Sequence, residues 1–280
     1  MAGLQKEVWI AGIQENPIPD NSFVFASQDK SEYVENNKLH LAEAGIEPDV
    51  HEDYFAGSET DLPLATINDI PNEVILKTYS TDRTRHRDLQ EVELQYNKRA
   101  SITNRHKTSL AKNLGKRAAF AWAPALDNTN NKIITVGAGK FISAIIKMKA
   151  FYNGLDMYDN LNICLTAEHM GTIEEEDTVL YKKILDTNKM YGFKVYNYNQ
   201  TALYTAAGAK KPYGTVKAAD DKNCSFTWSS DETFRCFGDT EMYETIRSAA
   251  SQADEISFAQ RALVGNIRAT NPKYLGAILS

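Results

Sequence analysis

Apolar residues recur at helical spacing in the middle of the chain. Between residues 85 and 122 they stand three and four residues apart, which predicts one long amphipathic helix that ends before Pro124. These positions are Leu89, Val92, Tyr96, Ala100, Leu110, Leu114, Ala118 and Ala121. An unbroken helix of this span would be about 57 Å long. We expect the core to include Leu89, Leu110, Leu114, Phe120 and Trp122.

Shorter elements follow. Residues 140–152 and 179–185 have helical patterns, and Thr166 is placed as the N-cap of another helix. Alternating or continuous apolar runs predict strands. The strands are expected at residues 161–165, 193–198, 224–228, 242–249 and 254–264.

The first eighty residues have a different character. Residues 1–30 contain Pro17 and Pro19 among other residues that are typical of turns, and this composition predicts an extended arm. Residues 31–82 are rich in proline and acids and predict a projecting, strand-poor loop, with extended candidates at 64–67 and 73–79. A connection of that length is unusual in a compact monomer, so we expect a partner to order it.

Composition excludes several classes of protein. The chain has 280 residues, 42% of them apolar, and a net charge of -6. No stretch approaches the eighteen or so apolar residues of a membrane span, and the run from Val8 to Ile13 is too short and too charged for a secretion signal. The acidic balance argues against a free DNA-binding protein. Cys164, Cys224 and Cys236 are interpreted as buried thiols.

No motif predicts a catalytic residue, a cofactor or a metal site. The turn at residues 137–140 opens a helix, but Ile134 and Phe141 stand where a phosphate-binding loop needs glycine and a hydroxyl residue. An ordinary turn is the better interpretation. The acids at residues 174–177 lack the spacing of a calcium loop and suit a solvated helix end.

Charge is unevenly distributed on the predicted long helix, which carries ten basic residues and three acidic ones. The basic residues are Arg83, Arg85, Arg87, Lys98, Arg99, Arg105, Lys107, Lys112, Lys116 and Arg117, and the acidic ones are Asp88, Glu91 and Glu93. Such a stripe can face DNA, form ion pairs between subunits, or be a solvated helix face.

The order of these parts resembles the tailed-bacteriophage major capsid proteins of the Hong Kong 97 type. An arm and a loop precede a basic spine helix that ends in Arg117-Ala118-Ala119-Phe120-Ala121-Trp122-Ala123-Pro124. The run Leu161-Asn162-Ile163-Cys164-Leu165-Thr166-Ala167-Glu168-His169 is similar to the family's strand and turn into a helix. Residues 252–261 and the tail at 274–279 resemble its returning peripheral strands.

The resemblance implies an α+β fold with four parts. These are an N-terminal arm (1–30), an extended loop (31–82), a peripheral domain with the spine helix (83–133 and 236–280) and an axial domain (134–235). It implies a structural shell protein of the virion capsid, assembled in the host cytoplasm, with no enzymatic activity and no cofactor. Arg105, Lys112 and Lys116 would face packaged DNA without sequence preference.

The implied partners are other copies of the chain, in hexamers and pentamers, a separate scaffolding protein, a portal and a decoration protein, with no membrane. Two alternatives remain open at this point. One is an encapsulin-like or gene-transfer-agent shell protein. The other is a soluble α/β enzyme with an unrecognised site.

Overall fold

The structure is a computed structural model that describes residues 20–35, 37–43, 48–56, 60–64, 70–86, 98–137, 140–248 and 253–280. Within these ranges the chain forms three β-sheets and four α-helices. The helices are α1 (Lys98–Ala121), α2 (Phe141–Asn153), α3 (Ala167–Glu176) and α4 (Thr178–Thr187), with short 3-10 helices at Ser22–Phe25 and Ser31–Tyr33.

The strands follow the same chain order. They are β1 (Gln28–Asp29), β2 (Val34–Glu35), β3 (Lys38–Glu43), β4 (Ile70–Ile75), β5 (Lys77–Ser80), β6 (Thr84–His86), β7 (Asn131–Thr135), β8 (Leu161–Leu165), β9 (Lys189–Met190), β10 (Phe193–Asn197), β11 (Cys224–Ser229), β12 (Thr233–Ser248), β13 (Ala253–Asn266) and β14 (Leu275–Leu279).

A five-stranded sheet is built around the long antiparallel pair β12 and β13. Strand β1 pairs with β12, while β5 and β6 both pair with β13. Helix α1 crosses this sheet, where Leu110 packs with Ile256 and Phe258 in a small buried cluster. The strands predicted at residues 242–249 and 254–264 are therefore confirmed as parts of β12 and β13.

A six-stranded sheet has the order β7-β14-β11-β8-β10-β9. Every residue of β8, β11 and β14 is buried, because helices α2, α3 and α4 cover one face and an aromatic cluster covers the other. Continuous apolar runs suit strands that are buried on both faces. In this sheet the tail strand β14, from the part assigned to the peripheral domain (83–133 and 236–280), pairs with β11 of the segment predicted as axial, and β7 pairs with β14.

A three-stranded antiparallel sheet with the order β2-β3-β4 corrects the prediction of a strand-poor loop. Leu39 and Leu41 alternate along β3 and are buried with Leu76, Phe234 and Leu263 of the neighbouring sheet. The prolines obscured this pattern. Pro71 is tolerated because β4 is an edge strand, where a missing N–H breaks no ladder. The extended candidate at residues 64–67 lies largely outside the described residues.

Within the described residues, helix α1 covers 24 residues, about 36 Å, of the predicted span. At the start of that span, residues 84–86 form strand β6 instead. Pairing with β13 overrides helical periodicity there, and Arg85 is held across the strands by Glu255 at 3.0 Å. Residues 87–97 lie outside the described residues.

The predicted core is confirmed in part. Leu110 and Trp122 are buried, whereas Leu114 and Phe120 are partly buried against the aromatic cluster. Leu89 lies outside the described residues. All three cysteines are free and buried, as predicted.

The end of the predicted arm is part of the chain's own core. Phe23 is fully buried, with ring centroids 4.9 Å from Tyr198 and 5.9 Å from Trp122. The indole N–H of Trp228 donates to the carbonyl of Ala26 at 2.8 Å. Deletion of residues 1–28 would therefore remove core packing as well as the arm.

A buried histidine ties the edge of α3 to the six-stranded sheet. His169 Nδ1 lies 2.5 Å from Ser225 Oγ, its Nε2 meets Ser280 Oγ, and its ring centroid lies 4.4 Å from that of Phe141. Burial lowers the pKa of His169 to about 4, and the nearby Glu168 opposes this only weakly. The histidine is therefore held neutral.

Phe23→Ala should lower the free energy of unfolding by about 3 to 5 kcal/mol, because it empties a closed aromatic site. Phe25 belongs to the same 3-10 helix but is 63% exposed, so Phe25→Ala is a matched control that should cost about 1 kcal/mol or less. Urea denaturation compares the two. Equal losses would show that Phe23 does not anchor the segment.

Acidification should destabilise the protein through His169. The unfolded state takes up a proton at His169 below about pH 6.5, while the folded state resists protonation until about pH 4. Lowering the pH from 6.5 to 4 should therefore reduce the free energy of unfolding by about 3 kcal/mol. In His169→Gln, the free energy of unfolding measured by urea denaturation should change less with pH between 6.5 and 4. His51 is exposed, and His51→Gln should retain the wild-type slope. A slope unchanged by His169→Gln would refute this role.

Candidate functional site

Helix α1 brings the three predicted DNA-facing residues onto one face. Arg105, Lys112 and Lys116 are separated by seven and four residues, so they lie within roughly 40° of one another around the helix axis. Arg105 and Lys116 are exposed and Lys112 is partly exposed. None of the three forms an ion pair within the part of the chain that the structure describes. We call these residues the basic face.

Most other members of the predicted stripe are placed elsewhere. Arg83 and Arg85 lie beside or within β6 and pair with Glu255 at 3.2 and 3.0 Å. Arg117 stacks on Tyr213. Lys107 points away from the basic face, since two residues correspond to about 200° of rotation. Arg87 and the side chains of Lys98 and Arg99 lie outside what the structure describes.

A groove of about 530 Å³ lies beside Arg105, between α1 and strands β5 and β6, and does not reach Lys112 or Lys116. Arg105 lines it together with several hydroxyl groups and the carboxylate of Asp82. The hydroxyl residues are Thr78, Ser80, Thr81, Thr84 and Ser109. Hydroxyl and guanidinium donors are the groups that commonly contact phosphate oxygens. This groove could not be predicted from local patterns, because its two walls are about 25 residues apart in the chain.

The turn at residues 137–140 leads into the N-terminus of α2, where an anion could bind. The N–H groups at this N-terminus are already occupied. The backbone N–H groups of Phe141 and Ile142 donate to the two carboxylate oxygens of Glu176, at 2.5 and 3.1 Å. An external phosphate would have to displace that carboxylate. Asp177 likewise accepts from the first N–H groups of α4, at 2.9 and 3.0 Å. Two of the four acids at 174–177 are thus helix caps and not simply solvated.

The pair formed by His169 and Ser225 has the atom types of a base and a nucleophile. Both side chains are fully buried, and Ser225 Oγ also accepts from the N–H of Thr166 at 3.2 Å. A nucleophile must be reachable by its substrate. The pair is therefore structural.

Within the described ranges, no group of His, Cys, Asp and Glu side chains is arranged to hold a metal ion. Among the helices described, none has the length and apolar character needed to cross a bilayer.

Comparison with known proteins identifies the fold. No family model and no curated protein sequence matches the chain. A chain of Mycobacterium phage Che8 is 13% identical with a TM-score of 0.71, covering 99% of this chain and 98% of that one. A capsid chain of Cyanophage P-SCSP1u is 11% identical with a TM-score of 0.72, covering 99% and 93%. A capsid chain of a native GTA particle is 11% identical with a TM-score of 0.63, covering 100% and 95%.

Identities this low establish the fold and nothing finer. The match nevertheless extends along nearly the whole of each chain, so it includes the sheets and the long helix together. The predicted fold is confirmed: the chain has the α+β capsid fold of the Hong Kong 97 type.

Proposed function

We propose that the chain is a major capsid protein, a structural protein without enzymatic activity whose copies close into a shell around double-stranded DNA. The observation that carries this proposal is the full-length similarity to capsid chains. A soluble enzyme would need an accessible site, and the His169 and Ser225 pair is closed to solvent. The similarity to the GTA capsid also supports the alternative of a gene-transfer-agent shell, which shares the same architecture.

The exposed segment between β3 and β4 supports assembly. Val50 and Leu64 are each 96% exposed and Phe55 is 64% exposed. Apolar side chains on an isolated projection cannot join the chain's own core, and such groups mark sites of protein contact. In the proposed shell, this segment lies across a neighbouring copy, which removes the three side chains from water.

The proposed shell has the parts that the sequence predicts. Helix α1 and the five-stranded sheet form the peripheral part, and the six-stranded sheet with α2, α3 and α4 forms the axial part. The copies form hexamers and pentamers with a separate scaffolding protein, a portal and a decoration protein as partners. Assembly takes place in the host cytoplasm and yields the virion capsid.

The basic face is proposed to meet the packaged DNA. Arg105, Lys112 and Lys116 have no acidic partner among the described residues, so their charge is available to an external polyanion. The groove beside Arg105 adds the hydroxyl groups of Thr78, Ser80 and Ser109, whereas those of Thr81 and Thr84 already bond to the chain. Contacts of this kind are made to phosphates and carry no sequence preference. A single exposed lysine is screened at physiological salt, but many copies on one wall offset the repulsion between DNA and an acidic protein.

Val50→Ser combined with Leu64→Ser should abolish shell formation, because the neighbouring copy loses the apolar groups that it covers. The stability of the subunit should change by less than about 0.5 kcal/mol, since both side chains are exposed. Size-exclusion chromatography measures assembly, and thermal unfolding supplies the control. Closed particles at wild-type yield would contradict the proposed role of this segment.

Lys112→Glu combined with Lys116→Glu should leave empty shells intact and lower the DNA that filled particles retain at high salt. With short duplex DNA and unassembled subunits, the slope of log affinity against log salt should fall by about 2, roughly one per lysine. Lys182→Glu combined with Lys183→Glu, on exposed positions of α4, is a control of equal charge change. Failure of the first variant to assemble would assign its lysines to ion pairs between subunits. Unchanged DNA retention would make the basic face a solvated surface.

A further inference from the structure

Arg117 of α1 lies between two aromatic rings. Its guanidinium carbon is 3.8 Å from the ring centroid of Tyr213 and 5.6 Å from that of Tyr79. A planar guanidinium stacks on aromatic faces through both charge and dispersion, which a compact ammonium does less well. We call these three residues the clamp.

The two rings belong to different sheets. Tyr79 lies on β5 of the five-stranded sheet and packs beside Leu110 and Phe258. Tyr213 lies in the connection between β10 and β11 of the six-stranded sheet. The clamp therefore joins the two sheets through the helix that runs between them.

The connection that carries Tyr213 is itself fastened to the end of α1. Lys210 Nζ donates to the carbonyls of Phe120 and Ala123, at 2.7 and 2.6 Å, and lies 4.1 Å from the ring centroid of Phe120. The ring of Tyr213 meets that of Phe120 edge-on, with centroids 5.4 Å apart. Movement of Tyr213 would therefore be transmitted directly to the helix.

A second junction between the sheets lies five residues further along α1, about 7.5 Å away. Trp122 stacks on Trp228 of β11 at 5.3 Å, and its indole N–H donates to the carbonyl of Gly265 in β13 at 3.1 Å. Both indoles are fully buried, so this junction is a fixed pivot. With one point fixed, the distances within the clamp determine the angle between the sheets.

Among the described residues, stacking is the main side-chain contact that the guanidinium of Arg117 makes. Within the described ranges Arg117 forms no ion pair, and its buried Nε has no hydrogen-bond partner. The position of the guanidinium is thus determined mainly by stacking, which is sensitive to ring shape and to the planarity of the cation.

We propose that the Tyr79–Arg117–Tyr213 clamp sets the angle between the five-stranded and six-stranded sheets and thereby the curvature of the shell. The inference rests on the proposed shell function. In an assembly of repeated contacts, a small rotation in each subunit changes where the assembly closes. Arg117 is in this sense a positioning residue, and it is not a DNA contact.

Particle diameter tests the clamp. Arg117→Lys keeps the charge and Tyr213→Leu keeps an apolar side chain, yet both remove the stacking. Each variant should form shells that lose the single diameter of the wild type in electron micrographs. The double variant should be no worse than either alone, because both act on one contact. Tyr213→Phe and Arg83→Lys are controls that should retain the wild-type diameter. Wild-type diameters for Arg117→Lys and Tyr213→Leu would overturn the proposal, and so would a folded variant that forms no shell.

A measurement without assembly separates this inference from the shell function. Spin labels at Ser257→Cys on β13 and Asp186→Cys on α4 report the distance between the sheets in unassembled subunits, and the three native thiols are buried. Arg117→Lys should broaden that distance distribution even if the wild type never forms shells. An unchanged distribution would refute the clamp. Absence of wild-type shells with a broadened distribution would refute only the shell function.

Discussion

Phe23, Trp122 and Trp228 pack into one fully buried aromatic cluster, and the rest of the structure depends on it. The three residues come from the N-terminal segment, the end of α1 and the centre of the six-stranded sheet. The two tryptophans also tie their segments to a neighbour: the indole of Trp122 donates to β13 and that of Trp228 to the carbonyl of Ala26. One cluster therefore holds the arm, the helix and both large sheets in register.

Several polar side chains at the helix ends find their partners within the described residues. Glu176 and Asp177 cap helices, Lys210 satisfies carbonyls at the end of α1, and His169 bridges two hydroxyl groups. Burial lowers the pKa of Lys210 to about 8 because its ammonium is largely removed from water. The two surfaces proposed to meet partners lie on the outside: the basic face of α1 and the apolar side chains between β3 and β4. Both suit contact with large partners better than chemistry on a small one.

Much of the fold could be predicted where one local pattern decides the structure. The helices at residues 140–152 and 179–185, the Thr166 N-cap and the strands around 161–165 and 224–228 are confirmed because each depends on its own apolar spacing. The errors lie where distant pairing decides. Strand β6 interrupts the helical pattern because β13 pairs with it, and β3 and β4 form despite their prolines because the neighbouring sheet covers Leu39 and Leu41.

The candidate site could likewise be predicted only where local geometry determines it. The spacing of Arg105, Lys112 and Lys116 placed them on one face, since helical geometry is local. The stacking of Arg117 between two rings could not be predicted, because Tyr79 and Tyr213 lie 38 and 96 residues away. The same is true of Glu176 on the end of α2, which depends on a contact across 35 residues.

A reconstruction by cryo-electron microscopy of the purified, full-length protein tests the central claim most directly. The account predicts closed particles whose wall repeats this fold around fivefold and sixfold axes, with the basic face of α1 on the inner surface and Val50 and Leu64 covered by a neighbouring copy. A protein that stays a 31.3 kDa monomer under all assembly conditions, or a shell with the basic face turned outward, would contradict it.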